Sequence, residues 1–145
     1  MTLKELHLDK KLASIVFLTL LLCSSAIAQT KPEQLAQHTS DAWLAIIDSG
    51  KYADSWDEAS QFFKGAITKT KWEAALHGVR DPLGKVVSRK FKSANYAKTL
   101  PGAPEGEYVV IQYETSFEHK PSATETVTPM LDKDGKWRVS GYYIK

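Results

Sequence analysis

Two opposite charges in apolar strand register, Arg89 and Glu125, are the residues of this chain best placed to do chemistry. Counting by twos, Arg89 falls with Val87 and Phe91, and Glu125 falls with Ala123 and Val127. Tyr113 occupies an apolar position of the strand between them. A lone buried charge is very costly, so side chains on such a face must pair or hydrogen-bond. Either the two form a buried structural ion pair that fixes sheet register, or they floor a small pocket. In that pocket Arg89 would hold an anionic group and Glu125 or Tyr113 would orient it. With Glu125 as base and Tyr113 or Arg89 steadying developing charge, the same trio would suit a small isomerase, dehydratase or hydrolase that needs no cofactor. The remaining groups offer less. There is no G-x-S-x-G, H-E-x-x-H, glycine-rich phosphate loop or C-x-x-C. His38, His77 and His119 share no short metal-ligand spacing, so no metal is expected. Asp54, Asp57 and Glu58 sit near a helix start, where negative charge favours the helix dipole, and no calcium-loop spacing surrounds them.

The elements that must position these residues divide at Gly84. Before it the apolar period is helical. Pro32 suits a first helical turn, Leu35, Ala42, Trp43, Ile46 and Ile47 follow at helical spacing, and Gly50 is a natural stop, giving a helix over 32–48. A second helical stretch over 51–64 carries Tyr52, Trp56, Phe62 and Phe63; the capping box Ser55-Trp56-Asp57-Glu58 inside it predicts two short helices with a bend. Thr70-Lys71-Trp72-Glu73 opens a third helix with the stripe Trp72, Ala75, Leu76 and Val79, closed by Asp81-Pro82-Leu83-Gly84. After Gly84 the period is 2. Strands are expected over 86–96, 109–117, 123–131 and 137–144, the last two joined by Asp132-Lys133-Asp134-Gly135. Helices followed by a four-stranded antiparallel meander make an α+β fold, with the helices on one face of the sheet. A cystatin-like wrap and a nuclear-transport-factor-2-like (NTF2-like) cone both fit that order, and only the cone encloses a pocket.

The first 28 residues of this 145-residue chain read as a secretory signal peptide. Lys4, Lys10 and Lys11 precede an apolar run from Leu12 to Leu22, and Ala26-Ile27-Ala28 is an A-x-A cleavage site. A membrane-spanning helix needs about 20 apolar residues, more than this run supplies. Cleavage after Ala28 leaves one α+β domain over 29–145, periplasmic or secreted and soluble. Cys23, the sole cysteine, leaves with the leader, and Leu22 before it disfavours a lipoprotein signal. The remainder holds 16 basic and 15 acidic residues, a net charge of +1 that argues against a nucleic-acid footprint. Lysines 64, 69, 71, 85, 90 and 92 make the middle locally basic, as a solvated face does. With no disulfide, packing alone must hold this domain, and Trp43, Trp72, Ile111 and Phe117 are the expected core.

An ordered set of residues resembles a known family. It comprises Trp56 with Ala59-Ser60, Trp72, Arg80-Asp81-Pro82-Leu83-Gly84, Ser88-Arg89, Leu100-Pro101-Gly102 and Gly106-Glu107-Tyr108. It continues through Tyr113-Glu114-Thr115-Ser116-Phe117, Glu125-Thr126-Val127 and Asp134-Gly135-Lys136-Trp137-Arg138-Val139-Ser140-Gly141-Tyr142. Over residues 37–144 the chain resembles a bacterial exported family catalogued as domain of unknown function 4019. The resemblance implies an exported protein and brings no activity, cofactor or catalytic residue with it. The expectation is therefore a non-catalytic binding or interaction module, its partner a small ligand or an envelope protein. The alternatives are a cofactor-free enzyme of the cone type and an envelope-associated protein that pairs through a sheet edge.

Overall fold

In the computed structural model, which describes residues 31–145, Pro32 opens helix α1 (Pro32–Asp48). The expected signal peptide, with Cys23 and the cleavage residues Ala26 and Ala28, lies outside the described residues. The buried face of α1 is Ala36, Ser40, Trp43, Leu44 and Ile47, a 3–4 spacing that lays one stripe on the sheet. Leu35 is 44% exposed, so the stripe is rotated from the one that includes Leu35 and Ala42. The second helical stretch is two short helices, α2 (Tyr52–Asp57) and α3 (Gln61–Ala66). Their break is set by Ser60 and not by a box at Ser55. Ser60 accepts from the Phe63 backbone N–H, whereas the Ser55 hydroxyl donates back to the Tyr52 carbonyl inside α2. Helix α4 (Lys69–Leu83) likewise starts earlier than Thr70 suggests, because Thr68 accepts from the Lys71 N–H. Its buried face is Trp72, Leu76 and Arg80, while Val79 is 47% exposed.

Gly84 makes the turn from helix to sheet. Its φ is +75°, a left-handed value open to glycine, and an added Cβ would meet Glu118 Oε2 at 2.6 Å. That carboxylate accepts from the Lys85 N–H and locks the corner. Four antiparallel strands follow in the order β1-β2-β3-β4: β1 (Val86–Ala97), β2 (Tyr108–Phe117), β3 (Lys120–Leu131) and β4 (Trp137–Ile144). β3 begins at Lys120, before the expected Ala123. Pro129 of β3 sits at the β3/β4 register shift, where a missing ladder donor is tolerated. Gly135 turns β3 into β4 with φ +78°.

The helices cover one face of this sheet, with α1 touching all four strands. Trp43, Trp72, Ile111 and Phe117 are all at most 7% exposed. Trp72 packs edge-on to Phe63 with ring centroids 4.8 Å apart and lies 6.1 Å from Trp43. Both indoles are satisfied on α2: Trp43 Nε1 donates to the Ser55 carbonyl at 2.7 Å and Trp72 Nε1 to the Ser55 hydroxyl at 2.9 Å. No helix among the described residues is long and apolar enough to cross a membrane.

Candidate functional site

Glu125 is fully buried in the middle of β3 and receives four hydrogen bonds. Arg89 on β1 grips it with two of them, Nε to Oε2 at 2.6 Å and Nη2 to Oε1 at 3.2 Å. Thr115 on β2 donates to Oε2 at 2.6 Å, and Tyr142 on β4 donates to Oε1 at 2.6 Å. All four strands thus converge on one carboxylate.

Arg89 makes a second fork. Its Nη1 and Nη2 donate to Asp48 at 2.6 and 3.1 Å, at the last residue of α1. Arg80 of α4, with 4% of its side chain exposed, donates to the same Asp48 at 2.9 Å. Its other terminal nitrogen lies 3.5 Å from the Tyr142 hydroxyl, and its guanidinium stands 5.1 Å over the Phe117 ring. Two guanidiniums and two carboxylates therefore balance in one cluster that runs from the buried Glu125 and Arg80 out to Asp48 at the protein surface, held by forked bonds that suit arginine and not lysine.

The electrostatics follow from this packing. Burial alone would raise the Asp48 pKa, but the bonds and charges of Arg89 and then Arg80 outweigh it, so the carboxyl sits below its ordinary value of 3.8. Burial would lower Arg89, and its bonds to Asp48 and Glu125 reverse that, raising it. Burial, reinforced by the Glu125 carboxylate, lifts the Tyr142 phenol well above its ordinary 10.0.

The structure brings Arg89 and Glu125 into direct contact and sends Tyr113 elsewhere. Tyr113 is the cross-strand neighbour of Glu125, yet its hydroxyl donates to Asp41 of α1 at 2.6 Å. Burial and that bond raise its pKa. The register of β1 also differs in detail from simple alternation. A shift between Val86 and Ser88 leaves Val87 67% exposed, while Phe91 stays on Arg89's face and packs edge-on to Tyr113 at 6.3 Å. Asp48, Arg80, Thr115 and Tyr142 complete the cluster, and no catalytic motif marks them, although Arg80, Thr115 and Tyr142 stand within the ordered set that resembles the family. Arg80 also has a positional signal, since it stands four and eight residues after Leu76 and Trp72 on one helix face.

The other candidates are dispersed. His77 Nδ1 meets Asp81 at 2.9 Å on the open surface of α4, His38 lines a groove beside α1, and His119 lies in the β2–β3 turn. Asp57 pairs with Lys69. Among the described residues no group of three or more His, Cys, Asp or Glu side chains is placed to hold a metal ion. A groove of about 880 Å³ runs outside the sheet between α1, α2 and the start of β4, with Trp43, Ile46 and Trp137 along it. None of the described grooves is lined by Asp48, Arg80, Arg89, Glu125 or Tyr142.

No curated protein matches the chain. A solved 2.5 Å structure from Catenulispora acidiphila superimposes with a TM-score of 0.51 at 12% identity, covering 77% of this chain and 88% of that one. At that identity the likeness speaks for the fold alone. Residues 39–142 match the family described as a protein of unknown function (DUF4019), and the chain belongs to that family.

Proposed function

We propose that the protein acts outside the cytoplasm as a non-catalytic binding or interaction module, and that Arg89 and Glu125 form its internal clamp. The observation that carries this reading is the state of Glu125. A general base needs a free lone pair and a path for substrate. Glu125 is 0% exposed and is occupied by four donor groups from three strands. Arg89 commits its nitrogens to two carboxylates, and Tyr113 is engaged by Asp41. The trio that a cone-type enzyme would use is consumed by the packing of the fold. Binding then falls to the outer surfaces.

A thermal-shift screen of small envelope metabolites on wild type, Arg89→Met and Glu125→Gln tests this. The clamp reading expects both variants to melt lower than wild type before any ligand is added. Variants that melt like wild type but lose a ligand-induced shift would support a catalytic or binding role at this cluster instead. Export rests on the leader, with its basic start, apolar run and Ala26-Ile27-Ala28 end. Intact mass of the protein recovered from the periplasm is expected to begin at Gln29. A mass retaining residues 1–28, or a lipid adduct on Cys23, would contradict it.

A further inference from the structure

The two edges of the sheet are unlike each other. On β4 the Val139 carbonyl accepts from the Ser60 N–H at 2.9 Å, so the start of α3 covers that edge. β1 pairs with β2 alone. Among the described residues, no backbone hydrogen bond from outside the sheet ladder reaches Val86–Ala97. A twelve-residue strand therefore keeps its outer row of N–H and C=O groups open to a further strand.

The side chains along it select what can pair there. β1 carries Arg89, Lys90 and Lys92 and no acidic residue, and Lys85 and Lys98 stand just beyond its ends. Arg89 is engaged inward. Lys92 reaches across to Glu114 at 3.4 Å, with half of its side chain exposed. Val87 and Phe91, 67% and 48% exposed, add apolar surface to the same edge. An antiparallel second copy would bring this lysine-rich strand against itself, and like charges directly opposite are destabilising. An acidic segment would meet complementary charge. Beside the strand, on the sheet face away from the helices, Ser88, Lys90, Lys92, Ser116 and Thr124 line a depression of about 380 Å³ together with Glu114, which Lys92 neutralises, so Lys90 and the hydroxyls are the donors it offers to carboxylates.

We propose that the β1 edge accepts an extended, acidic segment of a partner polypeptide as a fifth strand. Main-chain bonds would give affinity and the lysines would give selectivity. The register shifts at Val86/Ser88 and Phe91/Ser93 divide β1, so recognition centres on Ser88–Phe91 and continues over Ser93–Ala97. This names a partner class for the interaction-module reading and is independent of the clamp.

The test is fluorescence anisotropy on the protein recovered after export with a labelled, end-capped peptide of alternating Glu and Val. Three controls accompany it: a Lys/Val peptide, a Glu/Val peptide N-methylated at alternate residues, and the Lys90→Glu/Lys92→Glu variant. That variant changes exposed positions, and an unchanged melting temperature confirms that it folds. The acidic peptide is expected to bind, the Lys/Val peptide not to bind, and both N-methylation and the double variant to weaken binding about tenfold or more. Amide shifts in NMR should gather on Ser88–Ala97. Failure of the acidic peptide to bind, indifference to N-methylation, or shifts on another surface would overturn the proposal. So would dimerisation through β1, because a second copy would then occupy the edge. None of these outcomes bears on the thermal-shift test of the module reading.

Discussion

Asp48 shows how the cluster connects to solution conditions. It closes α1 and takes bonds from Arg89 and Arg80, which together hold its carboxyl below the ordinary range against the opposing effect of burial. A depressed carboxylate adds stability that is present above its unfolded pKa and lost as pH falls through its folded pKa. The wild type is therefore expected to lose stability as pH drops below about 4, and Asp48→Asn, less stable at neutral pH, to lose less over that window. Urea melts at neutral and acid pH measure both. An acid loss equally steep in the wild type and in the variant would show that Asp48 is not the titrating group. Arg89 and Glu125 were legible in the sequence because each stood among apolar strand neighbours, where a charge demands a partner. Their remaining partners were not. Asp48 looks like an ordinary polar helix end, and Tyr142 reaches the inner face through a register that the shift at Thr128/Pro129 resets.

Helix α4 carries the same lesson for elements. Its existence and its end at Gly84 follow from period and turn chemistry, and the meander follows from the change to period 2, which β2 shows clearly and the register shifts of β1 and of the β3/β4 ladder interrupt. Its start does not, because Thr68 and Thr70 offer equal capping oxygens in sequence, and it is Thr68 that caps the helix. The box at Ser55 fails for a physical reason: that serine is buried, bonded back into its own helix, and takes the Trp72 indole N–H. Trp72 is the element's anchor, wedged against Phe63 and Trp43 with 7% of its surface exposed. Trp72→Ala should cost about 3–5 kcal/mol, a large share of the stability of a small domain. Chemical denaturation of the variant measures it, and a midpoint equal to the parent's would show that α4 is not held through this ring.

For the molecule as a whole, the order of helices and then strands made the α+β architecture readable, and the chemistry was less so, because the cluster is assembled from six elements far apart in sequence. Asp48, Arg80, Arg89, Thr115, Glu125 and Tyr142 come from α1, α4 and all four strands. That placement supports the proposal that the cluster fastens helices to sheet. A double-mutant cycle on Arg89 and Glu125, followed by equilibrium urea unfolding, tests this claim most directly. Arg89→Met leaves the fully buried Glu125 without its guanidinium and should lose about 3–5 kcal/mol, whereas Glu125→Met leaves Arg89 with only the surface Asp48 and should lose less. The double variant keeps only the Asp48–Arg80 pair, restores neutrality, and should recover much of that loss. Single variants as stable as wild type, or losses that simply add in the double variant, would contradict a buried clamp.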